Sequence, residues 1–152
     1  MLTIGQCTIG DIIDAPEFAG LVEEYAQESA IPGLPKPQAK LEQYRAYETL
    51  GVVHAFCALR DGALVGFITV VAPVMPHYSI PLAVAESFFV AADHRKGGTG
   101  LRLLELAEER AKALGSPGLL VCAPFDGRLF EVLPRRGYKE TNRVFFKGLH
   151  DA

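Results

Sequence analysis

In FFVAADHRKGGTGLRLLELAEERAKALG, Phe88–Gly115, an apolar run ends in two cations and three glycines, and an amphipathic helical pattern starts at once. From Leu101 to Leu114 the apolar Leu103, Leu104, Ala107, Ala111 and Leu114 recur on one face, while Arg102, Glu105, Glu109 and Lys112 fall largely on the other. Gly115 supplies the stop, with Ser116-Pro117 behind it. A helix N-terminus exposes unpaired backbone N–H groups and the positive end of the helix dipole, so a flexible loop feeding it can wrap an anion. Gly97, Gly98 and Gly100 remove the side chains that would hold phosphate oxygens off. Arg95 and Lys96 add charge, and Thr99 adds a hydroxyl donor. On chemistry alone this predicts a pyrophosphate site between a strand and a helix. The competing reading is a plain turn with solvated cations. No GxxxxGK[ST] loop is present, and Leu103 stands where a dinucleotide fingerprint needs its third small residue.

The rest of the chain sets bounds on that site. A sequence of 152 residues, 49% hydrophobic, fits one domain able to bury roughly two thirds of its unfolded surface. A net charge of -3 and a pI near 5.8 supply no overall basic field, which argues against a nucleic-acid backbone binder. Cys7, Cys57 and Cys122 are odd in number and set in apolar runs, as expected of reduced cytosolic thiols. His54, His77, His94 and His150 are scattered, with no metal-ligand spacing, so no metal is expected. The N-terminal stretch lacks a basic leader, and no run approaches eighteen apolar residues. A soluble cytoplasmic protein with no membrane partner follows.

Periodicity alternates along the chain. Leu2 to Ile9 predicts a short strand; Pro16 and the helical spacing of Phe18, Leu21, Val22 and Tyr25 predict a first helix. SAIPGLPKP is a loop, and Gln38 to Leu50 a second helix. Asp61-Gly62 between two apolar runs predicts a type I′ hairpin. PVMPHYSIP is another loop, and LAVAESFFVA a central strand. After the opening segment come a short strand, GLLVCA, a helix from Asp126 to about Arg135, and one or two closing strands in RRGYKETNRVFFKGL. The expected fold class is α/β (α+β) with a mixed sheet.

The motif Arg95-Lys96-Gly97-Gly98-Thr99-Gly100 resembles the Arg/Gln-x-x-Gly-x-Gly/Ala signature of the GNAT superfamily of N-acetyltransferases. The likeness extends over most of the chain: two early helices, the Asp-Gly hairpin, the signature ahead of a long helix, and Gly137-Tyr138 after a later one. It implies a mostly antiparallel central sheet flanked by about four helices, with parallel fourth and fifth strands that splay apart. It implies acetyl-CoA as cosubstrate, its diphosphate held by backbone N–H groups from Lys96 to Leu101, with Arg95 at the loop's edge. The pantetheine arm would pair with the backbone of Phe88, Phe89, Val90 and Ala91, and Asp126 stands where many members place an asparagine near it. The late strands of the family often pair across subunits, which suggests a homodimer.

Attack on a thioester needs a neutral amine, and an alkylammonium with a pKa of roughly 10 is almost wholly protonated at neutral pH. Glu86, inside an apolar strand, is the candidate base, because burial there would raise its pKa into a useful range. Alternation puts Glu86, Phe88 and Val90 on one face and Ser87 and Phe89 on the other, so a solvated or ion-paired Glu86 is the competing reading. Many family members have a tyrosine acid four residues before the late glycine; here that position is Leu133. A thiol with a pKa of roughly 8.5 is a reasonable leaving thiolate without full protonation. Cys122 reads as core, and direct transfer in a ternary complex is preferred to an acetyl-enzyme.

By the same resemblance SAIPGLPKP and VMPHYSIP frame the acceptor entrance, which makes His77 and Tyr78 candidate substrate contacts, against a reading of ordinary loop packing. The leading function is acetylation of a primary amine on a small molecule or peptide. Its rivals are an acyl-CoA-binding module without turnover and an enzyme that modifies a protein or tRNA.

Overall fold

The structure, a computed structural model, describes residues 1–124 and 127–150. Seven strands and five helices are present among them: β1 (Leu2–Cys7), α1 (Ile9–Ile13), α2 (Phe18–Ser29), α3 (Leu41–Thr49), β2 (Val53–Arg60), β3 (Ala63–Val71), β4 (Val74–Met75), β5 (Ile80–Pro81), β6 (Ala83–Val90), α4 (Thr99–Ala113), β7 (Leu119–Val121) and α5 (Arg128–Arg135). The main sheet runs β1-β2-β3-β6-β7, antiparallel except for the β6–β7 pair.

Each boundary has a local cause. The first strand stops at Cys7 rather than Ile9 because Thr8 caps α1: its hydroxyl accepts from the Asp11 N–H while Asp11 accepts from the Thr8 N–H. That Thr-x-x-Asp signal lay in the sequence. Asp61 and Gly62 take φ of 50° and 85°, the two left-handed positions that a type I′ turn requires, and the hairpin β2–β3 follows. Helix α4 ends in a Schellman motif, with the Ser116 N–H reaching the Ala111 carbonyl, the Gly115 N–H reaching that of Lys112, and Gly115 at φ 82°.

The sheet is buried on both faces. On one, Leu103, Leu104, Ala107 and Ala111 of α4 meet Phe56, Ile68, Val70 and Ala85 of the sheet, as the helical pattern predicts. On the other, Ile9, Ile12 and Leu21 of the early helices cover Val53, Phe67 and Phe89. Leu103 and Ile68 are wholly buried.

Two sequence expectations need correction. PVMPHYSIP is not bare loop but a small hairpin, β4–β5, whose tip carries His77 and Tyr78. The closing strands are absent among the described residues: from Lys139 onward there is no strand, and Val144, Phe145 and Leu149 are 85%, 88% and 83% exposed. A strand exists only as part of a ladder, and among the described residues this segment pairs with no edge of its own chain.

Candidate acetyl-transfer site

Strand β6 carries both ends of the site. Its pairing with β3 continues to Val90, but its pairing with β7 covers only Ala83, Ala85 and Val84 between them, opposite Leu119, Val121 and Leu120. β7 ends at Val121, and beyond Ala85 that edge of β6 has no strand partner among the described residues.

At that point β6 bulges. Thr69 faces Ser87 and Val70 faces Ala85, so Glu86 is the extra residue. The bulge reverses the alternation. Ala83 and Ala85 face the α4 core, as do Phe88 and Val90, whereas Phe89 and Ala91 join the opposite one. Simple alternation therefore misassigned Glu86: it lines the same cavity as Ser87, on the side of the early helices. Nor is it buried as the apolar strand suggested; Glu86 is exposed. Its carboxylate accepts from the Tyr44 hydroxyl at 2.7 Å and from the Thr69 hydroxyl at 2.8 Å, and Thr69 in turn accepts from the Ser87 N–H at 3.1 Å. Thr69 thus satisfies the spare amide beside the bulge and fixes the carboxylate in one step. Burial, reinforced by the Glu86 carboxylate, pushes the Tyr44 phenol well above its ordinary range, so it remains a neutral donor at working pH. In the sequence Tyr44 falls inside the helix expected from Gln38 to Leu50, where nothing local marks it as a partner of Glu86.

The cavity, ≈ 300 Å³, lies between the sheet and α1, α2 and α3. Pro37, which ends SAIPGLPKP, and the neighbouring Gln38 and Ala39 form part of its rim. His77 and Tyr78 do not line it: they stack edge-on against each other at 4.8 Å on their own hairpin, and Tyr78 is 60% exposed.

The far end of β6 leads into the glycine loop. Gly97 and Gly98 have φ of 95° and 82°, and Gly98 caps α4, whose first helical bond runs from Arg102 N–H to the Gly98 carbonyl. A Cβ at either glycine would meet nothing within 4 Å, so it is the left-handed backbone, not crowding, that demands glycine. A Cβ at Gly100 would lie 3.7 Å from the Phe88 ring, so the start of α4 rests against the end of β6. Lys96 is exposed and Leu101 half-buried. Thr99 differs from the sequence expectation: it is wholly buried, its hydroxyl oxygen has no hydrogen-bond partner among the described residues, and it faces the interior rather than an anion.

Arg95 is also committed elsewhere. Its Nε donates to the Val90 carbonyl at 2.8 Å, its Nη2 meets both Glu28 oxygens at 2.7 and 2.8 Å, and its guanidinium lies 5.2 Å from the Phe89 ring centre. It braces the end of β6 against α2, and Lys96 is left as the outward cation of the loop. The side chains of Phe89, Val90 and Ala91 are buried and that of Phe88 half-buried, so what this strand can offer a ligand is backbone. Asp126 lies outside the described residues.

Leu133, at the position of the family's tyrosine, is 8% exposed core, and the Tyr138 hydroxyl donates to Glu108 of α4 at 2.7 Å, away from the cavity. Cys122, expected in the core, is exposed. No group of histidines, cysteines and carboxylates suited to a metal occurs among the described residues, and none of their helices is long and apolar enough to cross a membrane.

A strand whose edge is left open after a short parallel pairing, with an amide-rich loop at one end and a positioned carboxylate at the other, defines an acyl-transfer architecture. The sequence profile of the acetyltransferase (GNAT) family matches residues 18–128, and the chain belongs to that family. It is an enzyme of the acetyl-CoA-dependent N-acetyltransferase class. Among solved structures, a predicted acetyltransferase from Clostridium acetobutylicum with acetyl-CoA superposes with a TM-score of 0.74 at 13% identity, over 98% of this chain and 97% of that one. A ribosomal-protein-alanine N-acetyltransferase from Brucella melitensis biovar Abortus gives 0.67 at 20% identity, over 97% of each chain. An aminoglycoside acetyltransferase from an uncultured soil metagenomic sample gives 0.69 at 18%, over 98% and 97%. At these identities the likeness establishes the fold. No curated protein matches the sequence.

Proposed function

We propose that the chain acetylates a primary amine by direct attack in a ternary complex, with Glu86 as the base. The observation that carries this is the placement of Glu86: it lies at the bulge, in the lining of the cavity, next to the point where β6 loses its β7 partner. Acetyl-CoA supplies the acetyl group as a thioester. The amides of Gly97, Gly98, Gly100 and Leu101, with Lys96, hold its diphosphate, and the unpaired edge of β6 from Phe88 to Ala91 holds the arm. Tyr44 and Thr69 fix the Glu86 carboxylate, which takes the ammonium proton and, being exposed, passes it to water. Nitrogen then attacks the carbonyl carbon, and the second proton of the adduct nitrogen passes to the Glu86 carboxylate, which has just released the first to water. The C–S bond breaks, and the sulfur leaves as thiolate, since Leu133 has no proton to give.

Calorimetric titration with acetyl-CoA tests the donor half, and Glu86→Gln the chemistry. Micromolar binding is expected, together with a loss of about 10²–10⁴ in kcat for Glu86→Gln. Tight acetyl-CoA binding with unchanged turnover in Glu86→Gln would overturn the role given to Glu86 while leaving the donor site in place.

A further inference from the structure

We infer that the acceptor is a compact primary monoamine bearing an apolar or aromatic group, and not a polycation; this rests on the acetyl-transfer reading above. The cavity's ≈ 300 Å³ is at the small end of ligand sites, which run from about 300 to 1,000 Å³, and it leaves little room for a multi-ring aminosugar. Its apolar walls are Ile9, Ile12, Ile13, Phe18, Val22 and Phe67; the neutral polar residues Tyr44, Thr69 and Ser87 gather around Glu86, the one carboxylate among its lining residues.

Most acids on the surrounding elements have partners among the described residues, and Glu42 of α3, which has none there, is exposed and does not line the cavity. Asp11 of α1 caps its own helix through the Thr8 N–H. Beside α2, Glu17 accepts from the Leu64 N–H at 3.2 Å; within it, Glu24 accepts from the Ala92 N–H at 3.2 Å and Glu28 pairs with Arg95. On α3, Glu48 accepts from the Ile9 N–H at 2.8 Å. One ammonium therefore finds one carboxylate in the cavity, that of Glu86, and the walls built by α1 and α2 offer the remainder of the ligand mainly hydrocarbon. A second ammonium would be desolvated against isoleucine without an anion, which is strongly unfavourable. Ile13, Phe18 and Val22, half-buried on the helix side of the cavity, are the specificity-determining residues.

Steady-state kcat/KM is to be measured for linear alkylamines from propylamine to heptylamine, 2-phenylethylamine, 1,5-diaminopentane, spermidine, kanamycin and an alanine-initiated peptide, beside a calorimetric acetyl-CoA titration. Efficiency should rise about fourfold per added methylene, equivalent to about 0.8 kcal/mol, until the cavity fills. Spermidine and kanamycin should be at least about a hundredfold poorer than 2-phenylethylamine. Val22→Asp, which adds a second carboxylate to the wall, should lower the 2-phenylethylamine value about tenfold and raise that of 1,5-diaminopentane. If acetyl-CoA binds but the alkyl series is flat or inert, or the polycations or the peptide are preferred, the inference is overturned while the donor site stands. If acetyl-CoA does not bind, the reading beneath it falls as well.

Discussion

Glu86 and Tyr44 form the smallest functional unit, a carboxylate and a phenol 2.7 Å apart on different elements. Their coupling has a signature in alkaline stability. Burial first, and the neighbouring carboxylate second, raise the Tyr44 phenol above its ordinary value of 10.0. The folded state then keeps a proton that the unfolded chain gives up, so the stabilisation is complete below about pH 10 and is lost as pH rises through the folded value. Tyr138 behaves likewise, through burial and its bond to Glu108. Melting temperature should fall less steeply above pH 10 in Tyr44→Phe than in the wild type, and the turnover of Tyr44→Phe should drop at neutral pH as Glu86 loses a partner. An unchanged alkaline limb in both Tyr44→Phe and Tyr138→Phe would show that neither phenol is held as described.

Helix α4 joins the core to the donor site. Its apolar stripe was plain in the sequence because Leu103, Leu104, Ala107 and Ala111 recur at helical spacing, and all four are buried. Leu103→Ala should cost about 2–5 kcal/mol in denaturant unfolding, as expected for a cavity in a wholly buried position. At the helix start the stakes are functional. Gly98→Val forces a β-branched residue to φ 82°, which no neighbouring atom blocks but the backbone resists. The loop should reset, and acetyl-CoA binding by calorimetry should be lost or weakened by at least about tenfold, at a stability cost of about 1–3 kcal/mol. Unaltered binding would move the diphosphate elsewhere.

For the whole molecule the open question is what covers the C-terminal segment. Val144 and Phe145, about as exposed as side chains become, sit in a chain whose β7 edge has no outer partner among the described residues. Two copies pairing these segments would satisfy both backbone and side chains. We expect light scattering to report a dimer and Phe145→Asp to report a monomer; a wild-type monomer at high concentration would exclude that arrangement.

What could be read from the chain one residue at a time was whatever local rules control. The capping box at Thr8, the Asp61-Gly62 turn, the stripe and stop of α4, and the glycines ahead of it all depend on neighbours within a few residues, and the family signature is written in the same short range. The acceptor site is not local. Tyr44 and Glu86 are forty-two positions apart in sequence. Their meeting depends on the β6 bulge, which is set by how two strands match register, and one extra residue there sends Glu86 to the face that alternation denied it. Arg95 likewise looked free as a loop cation until α2 brought Glu28 against it. Helix and turn signals come from short-range sterics and hydrogen bonds, whereas bulges, ion-pair partners and cavities arise only once distant segments compete for the same space.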